Sequence, residues 1–254
     1  MSKEVRVSAT DRRPAVRAFV EQVMGMPISV HVRALDPDRP DVQAAVRNVF
    51  AHLRKVDDVF STWRGDGEVM RLRRGELDPD QAHPWVAEVR ALTDEAERMT
   101  GGVFTSDLVG PDGSRGWDPT GLVKGWAVAG AADYLREVDE VAFSVNAGGD
   151  IVCGRGRGMS GQHTPWRVGI QDPTDPMRVV AVVEVLDGAV ATSGSAARGA
   201  HVIDPRTGTA VTRSGSVTVT GPDLTWADVW ATACYVEPTL EPSDPAYVVA
   251  HRVD

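Results

Sequence analysis

Asp228 and Thr232 carry oxygen ligands one helical turn apart in the run Thr225-Trp226-Ala227-Asp228-Val229-Trp230-Ala231-Thr232. A spacing of four puts both side chains on one face of a helix. A carboxylate and a hydroxyl so placed suit a hard cation such as Mg2+, which keeps several waters and is shared with substrate phosphates. A second pattern fits the same residues. Thr225 followed three positions later by Asp228 forms a capping box, in which the carboxylate satisfies backbone N–H groups at the helix start and binds metal poorly. From spacing alone the cap is the stronger reading, and both remain open.

Four further segments set glycines beside polar side chains at the ends of strand-like stretches: Asp118-Pro119-Thr120-Gly121-Leu122-Val123-Lys124-Gly125, Asn146-Ala147-Gly148-Gly149-Asp150, Ala191-Thr192-Ser193-Gly194 and His201-Val202-Ile203-Asp204-Pro205-Arg206-Thr207-Gly208. Glycine lets a backbone approach a phosphate and aim N–H groups at it. Each segment also has a local explanation: a helix N-cap at Thr120, a tight turn at Gly148-Gly149, a hydroxyl-rich turn at Thr192-Ser193 and a β-turn from Asp204 to Gly208. Singly they decide little. Gly156-Arg157-Gly158-Met159-Ser160-Gly161 matches the dinucleotide pattern in letters only. The following Gln162-His163-Thr164-Pro165-Trp166 cannot open the helix on which a pyrophosphate would rest. Neither a P-loop nor a zincin pattern occurs in the chain.

These residues need elements to hold them. Apolar side chains at Val42, Ala45, Val46, Val49, Leu53, Val56 and Phe60 predict a core-facing amphipathic helix, and Val86, Val89, Leu92 and Ala96 predict another from Pro84 to Met99. Further helices are expected at about Gly121 to Arg136 and Trp226 to Tyr235. Strand patterns occupy Ile28 to Val32, Phe143 to Asn146, Trp166 to Ile170, Val179 to Leu186, Ala189 to Ala191 and Ser216 to Thr220. Helices dominate one half and strands the other, which predicts an α+β fold.

Composition narrows the function. The 254 residues carry a net charge of −9, so the electropositive field on which nucleic-acid binding relies is missing. No stretch approaches the ~18 uninterrupted apolar residues of a membrane span. Met1 to Arg13 lack the apolar core of a secretory signal, so a cytoplasmic protein is expected. Cys153 and Cys234 stand far apart in apolar surroundings and read as reduced, buried and structural. The length fits one domain, taken as residues 1–254.

In order along the chain, these motifs resemble the flavin transferase family, the ApbE-type FAD:protein FMN transferases. The resemblance begins with Met24-Gly25-Met26 and continues through Phe60-Ser61-Thr62-Trp63-Arg64 with Gly67-Glu68, then Gly101-Gly102-Val103-Phe104. Asp118 to Gly125-Trp126-Ala127, the Asn146 to Asp150 run, Ala191 to Gly194, His201 to Gly208, Ser216 to Val219 and Ala227-Asp228 with Ala231-Thr232 complete it, over about residues 24 to 235.

The resemblance implies an α+β fold whose mixed sheet and helices enclose FAD, with Mg2+ at the pyrophosphate. It implies transfer of FMN from FAD to a threonine or serine hydroxyl of a target flavoprotein, releasing AMP. Asp228 and Thr232 fall on the family's metal-ligand positions, with the Gly121 carbonyl as a further ligand, which tilts the helix reading from cap to metal. His201, Asp204 and Lys124 are the implied catalytic residues. Met24, Trp63, Glu68, Asp118, Gly148, Gly149, Asp150, Thr192, Ser193, Gly194 and His201 are the implied FAD contacts.

The residue types suit the chemistry, because attack on an anionic phosphorus needs charge neutralisation and alignment more than covalent help. Four positions depart from the family pattern. Trp63 replaces tyrosine, Gly67 replaces serine, the Phe104-Thr105-Ser106-Asp107 run differs, and Ala129 stands where aspartate is common. Two alternatives share the same pocket: a Mg2+-dependent FAD pyrophosphatase giving FMN and AMP, and a non-catalytic FAD-binding protein.

Overall fold

A computed structural model describes residues 13–109, 115–159, 164–195 and 202–253. Strands β1 (Ala15–Val23) and β2 (Met26–Ala34) lead into helices α1 (Pro40–Phe60), α2 (Glu68–Arg73) and α3 (Pro84–Met99). The short strands β3 (Asp107–Val109) and β4 (Arg115–Trp117) precede helix α4 (Thr120–Arg136). Strands β5 (Ala142–Ala147), β6 (Asp150–Arg155), β7 (Trp166–Gln171), β8 (Val179–Val185), β9 (Gly188–Gly194), β10 (Ile203–Asp204), β11 (Thr209–Ala210) and β12 (Ser216–Gly221) follow. Helix α5 (Leu224–Val236) and strand β13 (Val248–Val253) complete the order.

The α+β class is as expected. Seven strands form the main sheet in the order β1-β2-β5-β6-β9-β12-β13, and every adjacent pair runs antiparallel rather than mixed. Two of these six pairings follow directly from their connections. Met24-Gly25 and Gly148-Gly149 are two-residue turns, all four with positive φ, and turns this tight return the chain antiparallel to itself. β2 shows period-two burial, with Ile28, Val30 and Val32 inside.

Helices cover one face of the sheet. α1 buries Val42, Val46, Val49, Leu53, Val56 and Phe60 at helical spacing. α5 is buried around most of its circumference, which makes it a core helix rather than a surface one. The β7–β8 hairpin forms a small second core on Cys153 and Val190 through Val168 and Val185. Burial pushes the thiols up, Cys153 to about 12 and Cys234 to about 11, so both stay protonated as small apolar side chains. No helix among the described residues is long and apolar enough to cross a membrane.

Candidate active site

Asp150 opens β6 on the helix-facing side and is 1% exposed. Its Oδ1 accepts from the Thr192 backbone N–H at 2.9 Å, and its Oδ2 forms an ion pair with Lys124 Nζ from α4. The same ammonium lies 3.5 Å from Oδ2 of Asp228, which projects from α5 and is 2% exposed. One lysine thus stands between two buried carboxylates contributed by a strand and a helix. Buried charges persist only with such partners.

Gly125 permits that geometry. A Cβ there would lie 2.9 Å from the Leu224 carbonyl and 3.2 Å from Asp228 Oδ2, so any side chain would force α4 away from α5 next to Lys124. One turn beyond Asp228, Thr232 Oγ1 shares a 2.8 Å hydrogen bond with Ser193 Oγ of β9. The alternation of β9 turns Ser193 toward the helices and Thr192 to the other face, where its hydroxyl meets Thr218 at 2.8 Å.

The structure corrects both capping assignments. α5 begins at Leu224, and Asp223 is its cap, accepting from Thr225 N–H at 2.8 Å and Trp226 N–H at 3.4 Å. Asp228 stands a full turn inside, beyond the unpaired N–H groups of a helix start, and so does not serve as the cap. At α4, Thr120 is the first helical residue rather than the cap. Asp118 Oδ1 accepts from both its N–H, at 3.0 Å, and its hydroxyl, at 2.6 Å. Asp118 Oδ2 is 3.2 Å from Arg73 Nη2, and Arg73 also donates to the Trp117 carbonyl. At the other rim, Asn146 Oδ1 accepts from the Gly149 N–H at 3.0 Å and fixes the Gly148-Gly149 turn.

Asp118, Thr120, Gly121, Lys124, Asp228 and Thr232 line a cavity of about 190 Å3, closed by Gly148, Ser193 and Gly194 on the sheet side and by Phe104, Val202 and Ile203 above. An adjoining cavity of about 480 Å3 runs under the β7–β8 hairpin. The two share Gly148, Thr192 and Gly194, so a long ligand can occupy both. Asp228 and Thr232 place a carboxylate and a hydroxyl one helical turn apart on the cavity wall, with Gly121 also in the lining. Among the described residues no group of three or more His, Cys, Asp or Glu could hold a metal ion. One or two carboxylates with substrate phosphates is what Mg2+ takes, so the residues present fit that ion.

Other site residues expected from the sequence lie elsewhere. Met24 is in the β1–β2 turn and packs on the core. Trp63, 97% exposed, follows α1. Glu68 opens α2, and its Oε2 accepts from the His83 N–H at 2.6 Å. None of the three lines either cavity. Gly67 is the residue before α2, where a Cβ would sit 3.0 Å from the Ser61 carbonyl, a physical reason for glycine in place of serine. Ala129 faces a separate cavity.

Asp204 takes three hydrogen bonds from Arg206, two from its guanidinium at 3.0 and 2.9 Å and one from its backbone N–H at 2.9 Å, which hold its carboxyl below the usual range. Arg206 also reaches Glu237 at 2.8 Å, tying β10 to the end of α5. His201 lies outside the described residues, but Val202 and Ile203, which follow it, line the cavity. Met1 to Asp11, Arg12 and the end of the glycine pattern at Ser160-Gly161 also lie outside them. Arg73 and the hairpin wall went unnoticed in the sequence. α2 has only six residues, too few to show periodicity, and the hairpin's alternation gives no sign of what it covers.

Comparison with known proteins decides the kinship. Residues 112–244, just over half of the chain, match the model described as the ApbE family. The chain belongs to the ApbE family. That match spans every site residue from Asp118 to Thr232. A protein of Klebsiella pneumoniae (strain 342) named FAD:protein FMN transferase is 40% identical over 120 residues, 42% of this chain and 33% of that protein. The Escherichia coli (strain K12) protein of the same name is 39% identical over the same length. The matched stretch therefore spans about a third of these ApbE relatives. Two solved ApbE structures share the fold. The flavin transferase ApbE of Vibrio cholerae superposes with a TM-score of 0.72 at 23% identity, covering 88% of this chain and 87% of that one. The ApbE protein of Thermotoga maritima gives 0.69 at 20% identity, covering 87% of each chain.

Proposed function

We propose that this ApbE-family chain is an enzyme that binds FAD, cleaves its pyrophosphate and transfers FMN to a threonine or serine hydroxyl of a flavoprotein, releasing AMP. The observation that carries this reading is the convergence of Lys124, Asp150 and Asp228 at the site cavity, which Lys124 and Asp228 line, in a chain whose named relatives are FAD:protein FMN transferases.

Lys124 neutralises an anionic phosphate oxygen, while the Gly148-Gly149 turn and the start of α4 at Gly121 bound the pyrophosphate. Asp228, Thr232 and the Gly121 carbonyl would hold Mg2+. When bound, Mg2+ offsets charge that develops on the pyrophosphate oxygens. In the transfer step the acceptor oxygen bonds to the FMN phosphorus as the bond to the AMP oxygen breaks. The hydroxyl proton passes to His201, an imidazole whose ordinary range suits a base near neutral pH. Asp204, occupied by Arg206, anchors the segment that follows His201 instead of taking the proton. Asp150 holds Lys124 in place, and Ser193 orients Thr232.

The test is incubation of the protein with FAD, with Mg2+ or with EDTA, in the presence of an FMN-acceptor domain. Metal-dependent AMP with flavin that stays on the denatured acceptor supports transfer. AMP without attached flavin supports hydrolysis instead, and bound FAD without AMP under any condition refutes an enzymatic role.

A further inference from the structure

A cavity of about 740 Å3 lies along the C-terminal half of α4, between α1, α3 and the start of α5. It shares no lining residue with the site cavity. Its wall is aromatic. The His52 imidazole sits between Trp85, 5.2 Å away centre to centre, and Tyr134, 5.9 Å away edge-on. Trp85 and Trp126 meet edge to face at 5.5 Å. Glu88 Oε1 accepts from the Trp126 indole N–H at 3.0 Å, which fixes that ring and sets a carboxylate beside it. His52 Nε2 is buried without a hydrogen-bond partner among the described residues. Burial holds this imidazole below its ordinary range against the pull of Asp133, so it adds no positive charge at pH 7.

The charges around the rings are one-sided. Glu88, Asp133, Glu137 and Asp223 line the cavity, with Arg136 as the only lysine or arginine in the lining. That guanidinium pairs with Asp133 at 3.5 Å and with Asp187 at 3.2 Å and lies over Phe143 at 5.6 Å, Glu137 pairs with Arg157, and Asp223 caps α5, so Glu88 is the lining carboxylate that no lysine or arginine among the described residues neutralises. An anion would meet the Glu88 carboxylate here. Indole and phenol rings beside the Glu88 carboxylate favour a cation with an apolar body, which the ring quadrupoles attract and Glu88 attracts at longer range. The volume lies in the range of small-molecule pockets, roughly 300–1,000 Å3.

We propose that this cavity is a binding site for an organic ammonium ion, separate from the flavin site. The probe is benzyltrimethylammonium, titrated by calorimetry, with benzyl alcohol as the uncharged control. Saturable binding of the cation, no binding of the alcohol and no competition by FAD is the expected result. Glu88→Gln keeps the indole hydrogen bond and removes only the charge, and should weaken binding about threefold. Trp126→Leu should weaken it about tenfold. Equal binding of benzyl alcohol, displacement by FAD, a response that never saturates, or wild-type affinity in Glu88→Gln would overturn the proposal, whether or not Trp126→Leu folds.

Discussion

Lys124 matters first as a counter-ion and only then as a phosphate ligand. Without it, Asp150 and Asp228 would face each other across a buried gap. Lys124→Met should therefore lower unfolding free energy by about 3 kcal/mol, the lower end for breaking a buried pair because the lysine side chain is 23% exposed. Urea denaturation at pH 7 measures this, and an unchanged midpoint would contradict the role. Asp223→Ala should cost about 1 kcal/mol as a lost cap while leaving metal-dependent turnover intact. A loss of turnover without a loss of stability would mean that the two aspartates of this helix have been assigned the wrong way round. Asp228 and Thr232 were legible in the sequence because a spacing of four is a property of one helix. Whether Asp228 capped or faced the cavity was not legible, since that turned on where the helix starts. The pairing of Asp150 with Lys124 depends on which face β6 presents, and no local pattern carries that.

At the scale of elements, close approach of α4 to α5 creates the site. Gly125→Ala places a methyl group against the Leu224 carbonyl and should destabilise by about 1–3 kcal/mol, the usual cost of overpacking. Thermal unfolding reads this, and a fully stable variant would show that the helices part without penalty. The tie from β10 to α5 makes a pH prediction. Hydrogen bonds from Arg206 hold Asp204 and Glu237 below their ordinary values, Glu237 at about 2 instead of 4.5. Folded values below unfolded ones mean stability present above about pH 4.5 and lost as pH falls toward 2. Arg206→Ala should melt below wild type at pH 7, with the gap closing between those limits; a gap that stays constant to pH 2 would rule out the tie. Helices α1, α3, α4 and α5 were legible because each carries a long periodic or apolar stretch. Strands β1 and β13 were not: they form the sheet edges, where exposure on several residues erases the alternation.

For the whole molecule, a single antiparallel sheet sets the distance between residues far apart in the chain. β6 and β9 are neighbours, which brings Asp150 within hydrogen-bond reach of Thr192 and so joins two of the glycine segments. The Asn146 to Asp150 and Ala191 to Gly194 segments meet because the start of β6 lies beside the end of antiparallel β9. The order of strands itself was beyond sequence reading, since pairing between β9 and β6 leaves no trace in either segment alone. The measurement that tests the central claim most directly is AMP release from FAD by wild type and by Asp228→Ala, each with Mg2+ and with EDTA, at matched folded fraction. The account predicts metal-dependent AMP from wild type and none from the variant. Wild-type AMP release by Asp228→Ala would contradict it.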